Sequence, residues 1–306
     1  MTQESALEKQ PVGADHYDDK WIASAWGAHG NQKILDESEL CPRPRVSRAV
    51  ELMDIRPGQR ILDIACGRGE VPALAAARGA YAVGIDFSGA SLRFAGQLKA
   101  ALRTNNSGAG AMELIQADAT CLPFADGIFD RISMLDIVEH LTPSQLAMMM
   151  REVGRMLAPG GFAVVHTLPN RWVYDITFPL LSKFSSRFPP DPRGPVDRVV
   201  HINEQDLIGL SHTLKSCGLR HRLWLEQQMP AQARWNASND EYGDNRDAVY
   251  PMLLGAAGRA LELLSLTPFK LLLCNDIYGL LWREPAMPAG AKPRLAMTER
   301  LVAMFG

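Results

Sequence analysis

The sequence predicts an α/β protein, a doubly wound parallel sheet of seven strands with helical lid insertions. Two observations predict it. From about residue 58, short apolar runs alternate with helical patterns, as in a parallel sheet covered on both faces. The first run, in ILDIACGRGE (61–70), ends in an acid and passes straight into a glycine-bearing turn.

The strands expected in order are RILDIA (60–65), YAVGID (81–86), MELIQA (112–117), FDRISML (129–135), GFAVVHTL (161–168), LRHRLWLEQ (219–227) and KLLLCNDIYGLLW (270–282). Each is a short apolar run bounded by turn residues, and helical patterns fill the gaps. Thr142-Pro143-Ser144-Gln145 reads as a capping box with proline at the first helical position; Leu146, Met149, Met150, Val153 and Leu157 follow on one face. Asn203 and Asp206 open a helix whose buried stripe is Leu207, Leu210 and Leu214. Methionines 148–150 are best explained by core packing.

These signals divide the chain into six parts. Residues 1–57 form an N-terminal helical arm or lid, and 58–168 the ligand-binding core. Residues 169–202, rich in proline and aromatics, make a cap insertion after the fifth strand, and 203–227 a core helix and the sixth strand. Residues 228–268 are a second insertion, and 269–306 the last strand and tail. In open α/β sheets ligands bind beyond the carboxyl ends of the strands, where the first two extra segments can form a lid.

Charge is nearly balanced, 32 basic against 34 acidic residues, with no long basic run, which argues against a nucleic-acid partner. The five cysteines (41, 66, 121, 217 and 274) show no CxxC and no zinc-ligand spacing, so they read as reduced thiols of a cytoplasmic protein. The N-terminus is polar and acidic, unlike a signal peptide. The apolar stretch 250–274 is broken by Arg259, Glu262 and Lys270, so it fails as a membrane span; a membrane surface or a second copy of the chain is its expected contact.

Gly67 and Gly69 let backbone approach a ligand, and the helix that follows offers free N–H groups. A dinucleotide site uses the same physics. Here Pro72 stands where a third glycine would be needed, and Asp63 would repel a pyrophosphate but suit a cation. Asp86 ends the second strand, where a carboxylate can accept both hydroxyls of a ribose.

DIACGRG (63–69) resembles the first motif of class I S-adenosylmethionine (SAM) methyltransferases. The resemblance continues in order through GIDFS (84–88), QADATCLPFADGIFD (116–130), LDIVEHL (135–141) and LAPGGFAVVHTLPN (157–170), and NDIYGLLWRE (275–284) looks like the family's last strand. It is nearest to the small-molecule group of the ubiquinone pathway and natural products, and it implies the Rossmann-like form of the doubly wound sheet. By that resemblance the cofactor is SAM. Asp63 and the backbone of Ala65, Cys66 and Gly67 face its methionine end, and Asp86 holds the ribose with Phe87 beside the adenine. Asp118 and Ala119 meet the adenine edge, Leu135 lies near the sulfonium, and Tyr17 closes over the cofactor. Ala65 stands where many members carry glycine, which a negative φ would tolerate.

Methyl transfer is an in-line displacement that needs alignment and exclusion of water, and an oxygen or nitrogen nucleophile can also need a base near neutrality. His140 and His166, at the carboxyl ends of central strands, are the candidate bases; His201 reads as structural. No metal-ligand set of the catechol-methylating type is evident. The apolar residues of the insertions (Trp172, Tyr174, Phe178, Leu180, Leu181, then Met252, Leu253, Leu254, Leu261, Leu264) suggest a mostly apolar small-molecule acceptor of quinone- or lipid-like biosynthesis or secondary metabolism, its reacting atom open. The alternatives are a nicotinamide oxidoreductase and a SAM-binding scaffold.

Overall fold

The computed structural model describes residues 10–21, 35–36, 39–40, 42–105, 110–184, 186, 188–226, 263–264 and 266–292. Seven strands form one sheet: β1 (Arg60–Ile64), β2 (Tyr81–Asp86), β3 (Ala111–Gln116), β4 (Phe129–Leu135), β5 (Leu157–Thr167), β6 (Arg220–Glu226) and β7 (Asp276–Trp282). Their spatial order is β3-β2-β1-β4-β5-β7-β6. The first five run parallel; β7 is antiparallel to both β5 and β6. The doubly wound sheet of seven strands is therefore present as expected, with one strand, β7, reversed. The last run also starts later than its hydropathy indicates, because Lys270–Leu273 forms a turn of helix before Asp276 enters the sheet.

Helices cover both faces, and successive strand residues divide between them. Leu62, Ile64, Ile132, Met134, Ala163 and Val165 face the helices Pro143–Met156 and Leu207–Ser216. Ile61, Ala82, Phe162, Val164 and Tyr278 face α1 (Pro44–Met53) and α2 (Glu70–Ala77). Thr142 caps its helix with the expected box: its hydroxyl takes the Gln145 N–H, and the Gln145 side chain takes the Thr142 N–H. Met149 and Met150 are fully buried, whereas Met148 is exposed.

The N-terminal arm has two roles where one was expected. The helix α1 buries Val46, Ala49, Val50, Leu52 and Met53 and is a layer of the core. Among the described residues of the arm, 10–21 lie where a lid would. Most of the second insertion (227–262) is outside the described residues. Among those described, no helix is long and apolar enough to cross a membrane.

One ionic chain, buried at His166 and Asp276 and half-buried at Arg45 and Asp136, ties α1 to the carboxyl end of the sheet. Arg45 Nε lies 2.8 Å from Asp136 Oδ2, Asp136 Oδ1 lies 2.5 Å from His166 Nδ1, and His166 Nε2 lies 3.0 Å from Asp276 Oδ1. Burial alone would lower the His166 pKa, but the two carboxylates outweigh it and raise it to about 9. Against an unfolded histidine near 6.5, this linkage stabilises the fold fully below about pH 6.5 and is lost as pH rises through about 9. Stability to urea should therefore fall between those limits by about 3 kcal/mol, and His166→Asn should abolish that dependence. His166→Ala, which strips the buried Asp276 of its imidazole and leaves Asp136 with Arg45 alone, should cost about 3–5 kcal/mol.

Candidate functional site

The site lies at the carboxyl ends of β1, β2 and β4. Asp63, near the end of β1, is buried and accepts the Ser133 hydroxyl at 2.6 Å. Burial raises its pKa to about 7, with Asp86 and Glu70 adding and Ser133 opposing; none of the groups acting on it is basic. A buried acid in that position suits a cationic ligand.

Beyond Asp63 the chain turns sharply. Ala65 has φ 59°, so the negative value that would tolerate alanine is not met, and an alanine holds a left-handed conformation that glycine adopts at no steric cost. The Cys66 N–H donates to the Ile85 carbonyl at 2.8 Å, and the Cys66 carbonyl accepts from Gly69. Cys66 thus has its backbone committed to the turn, and its thiol packs on Gly84, where an added Cβ would come within 2.9 Å of the sulfur. Gly69 (φ 77°) must be glycine for packing, since a Cβ there would lie 2.8 Å from Met112 Cε and 3.0 Å from Ala95 Cβ.

Asp86 closes the turn from the next strand. Its Oδ2 accepts the Gly67 N–H at 3.0 Å and its Oδ1 the Ser88 N–H at 2.9 Å. A carboxylate offers about four acceptor positions, so acceptor capacity remains for a ligand's hydroxyl. Asp118 Oδ1 takes the N–H and hydroxyl of Thr120, each at 2.7 Å, shaping the loop after β3; Ala119 packs partly buried against the core. Leu135 ends β4, and Asp136 (φ 55°) then redirects the chain, its N–H donating to the His166 carbonyl at 3.1 Å.

The arm spans the mouth of this cleft. The Tyr17 ring lies 5.3 Å from Phe87 and 6.3 Å from His140, Trp21 packs edge-on at 4.7 Å, and the Ser88 hydroxyl donates to the Tyr17 carbonyl at 2.8 Å. The Tyr17 hydroxyl is 3.3 Å from His140 Nδ1.

Neither candidate base sits as a base should. His166 is fully buried with both nitrogens against carboxylates, and with a pKa of about 9 it already holds its second proton at neutral pH. His140 faces the cleft, but its pKa is lowered to about 4 by burial and by the neighbouring His201, with Asp136 and the Val200 carbonyl opposing. It is neutral at pH 7, and too weak a base to carry a proton there.

Sequence reasoning missed several residues. Glu70, at the start of α2, binds the Arg43 guanidinium at 2.8 Å and Arg68 at 3.1 Å; burial would raise its pKa, but the two arginines hold it low. This cluster stiffens the glycine turn from behind. Glu139 and His201 were also passed over as site residues, although Glu139, His140 and His201 each bring a metal-ligating atom within 4.8 Å of the others. No local spacing could show this, because His201 arrives from the far side of the cap insertion.

Comparisons with known proteins agree with this geometry. Residues 61–161 match the family model described as a methyltransferase domain. The chain is 33% identical over 141 residues to an uncharacterized methyltransferase of Synechocystis sp., covering 45% of this chain and 60% of that protein. It is 29% identical over 223 residues to a demethylmenaquinone methyltransferase of Streptomyces avermitilis, covering 71% and 84%. The crystal structure of a geranyl diphosphate C-methyltransferase from Streptomyces coelicolor shares the fold, with TM-score 0.53 and 13% identity, over 78% of this chain and 80% of that one. The chain spans 40% to 60% of the length of several curated relatives it matches.

The residues present fit the cofactor that the sequence implies. Asp63 offers a negative charge without a basic partner acting on it, and Asp86 has acceptor capacity left. Because a cation favours ionised Asp63, affinity for SAM should be full above pH 7 and fall by up to about tenfold per unit below it. Calorimetry on Asp63→Asn should show weak binding with no such dependence. Asp86→Ala should weaken SAM by about tenfold or more.

Proposed function

From the chain's membership of the class I S-adenosylmethionine-dependent methyltransferases, we propose that it methylates a mostly apolar, ring-bearing small molecule of the quinol kind. The observation that carries the methyltransferase reading is Asp63, a buried acid beside a glycine turn, with Asp86 opposite and no room in that charge pattern for a pyrophosphate.

Bound there, the cofactor supplies a methyl group on a sulfonium, which leaves as a thioether. The protein's own part is placement. Asp63 holds the amino end, the turn 65–69 presents backbone to the methionine moiety, and Asp86 takes the ribose hydroxyls. Tyr17 and Phe87 close the mouth against water, which keeps the displacement in line and prevents hydrolysis. The acceptor enters on the side of His140, beneath the cap insertion.

Support for an apolar acceptor comes from that insertion and from the relatives. Val173, Tyr174 and Phe178 pack on one another, which leaves Ile176, Leu180 and Phe184 exposed beside them. Several relatives bear the name demethylmenaquinone methyltransferase. The apolar residues 252–254 and 261 of the second insertion lie outside the described residues, and a lipid surface or second copy remains our proposal for their partner.

The test runs in two stages. Calorimetry with SAM, its demethylated product and NADH should show saturable binding of the first two alone; binding of NADH alone would overturn the reading. Methyl transfer from labelled SAM should then be seen with prenylated naphthols or quinols and not with nucleic acid. SAM binding with no transfer to any acceptor would leave a scaffold instead.

A further inference from the structure

Glu139, His140 and His201 face one another beside the cofactor cleft, and no hydrogen bond joins the three. His140 Nε2 is 3.9 Å from Glu139 Oε1, and the two imidazole rings stand edge to face with centroids 5.1 Å apart. His201 Nδ1 is buried with no hydrogen-bond partner, its nearest acid being Asp197 at 4.0 Å. One ligating atom from each residue lies within 4.8 Å of the other two. Bonds of about 2.1 Å to a tetrahedral ion put its ligands about 3.4 Å apart, so the set needs to close by roughly 1 Å.

The surroundings hold these groups as outer partners hold metal ligands. Thr167 donates to Glu139 Oε2 at 2.7 Å, leaving Oε1 toward the histidines. Tyr17 meets His140 at Nδ1, and Nε2 lies on the side of Glu139; the Val200 carbonyl also faces this imidazole. The Glu139 carbonyl accepts the N–H groups of Ile202 and Asn203, at 2.9 and 3.0 Å, which pins the His201 segment to the loop after β4. Both imidazoles keep an edge toward solvent, with 22% and 13% of their side chains exposed, so an ion there would have open positions toward the acceptor.

We infer that Glu139, His140 and His201 form a site for one divalent transition-metal ion, which binds an oxygen of the acceptor. Two imidazoles and one carboxylate favour zinc, iron(II), manganese or cobalt over magnesium or calcium. The role in transfer rests on the methyltransferase reading; binding of the ion does not. The ion lowers the pKa of an acceptor hydroxyl bound to it, whose proton passes to water. The resulting oxyanion forms the new O–CH3 bond as the C–S bond breaks and its electron pair stays on sulfur.

The test uses the full chain without an affinity tag, stripped by a chelator and titrated with Co2+. We expect a visible ligand-field band that saturates at one ion per chain and is displaced by Zn2+. His201→Ala and Glu139→Gln should weaken Co2+ by more than the ~10–100-fold that loss of an outer partner costs, and Tyr17→Phe by an amount within that range. Folding of each variant is checked by circular dichroism, and His201→Gln substitutes if the alanine chain does not fold. Absence of stoichiometric Co2+ binding to the wild-type chain overturns the site, as does tight binding that both ligand variants retain. SAM calorimetry on the same preparation separates the readings: metal without SAM sinks the methyltransferase, and SAM without metal sinks only the site.

Discussion

The ionic chain Arg45–Asp136–His166–Asp276 is the constraint on which the working end of the molecule depends. It joins α1, the exit of β4, the end of β5 and the start of β7, four segments far apart in sequence. Two positive and two negative groups alternate, so each ion is desolvated against a partner of opposite sign. Isolated burial of any one would be prohibitive, and the arrangement is stable only when all four segments are in place. It is therefore a device for register as much as for energy.

Its consequence is felt one residue later. Asp136 takes a left-handed backbone conformation held by its N–H bond to the His166 carbonyl, and this bend aims Val138–His140 across the cleft. A residue without a side-chain anchor would have no reason to hold that conformation. The strain at Asp136 and the position of Glu139 and His140 are thus two results of one salt-bridged network. Something parallel happens at Ala65, where the turn is held by the Cys66 and Gly67 hydrogen bonds to the neighbouring strand.

The two halves of the cleft differ in their electrostatics. Around Asp63 the groups that act on the carboxyl among the described residues are a hydroxyl and two other acids, an environment that suits a cation. Around Glu139 burial and the charge of Asp136 likewise push the carboxyl up, to about 8, while the facing imidazoles are kept neutral-leaning by their own burial. Tyr17 bridges the two halves, with its ring on Phe87 and its hydroxyl on His140.

The sequence by itself determined the sheet and pointed to the cofactor. Strand runs and the capping box at Thr142 are local signals, the box being closed within three residues; the acids at 63 and 86 are legible as residues, but their bonds to Ser133 and Gly67 come from other strands and turns. What tertiary structure alone decided depends on pairs far apart. Hydropathy could not show that Asp276 begins β7 in antiparallel register, that α1 is core and not lid, or that Ala65 takes a positive φ. Nor could a histidine at a strand end reveal that two distant carboxylates hold it protonated, or that His201 returns across the cap insertion to stand beside Glu139 and His140. Local pattern reads the backbone's preferences; the charge state of a buried group is set by whatever the fold brings against it.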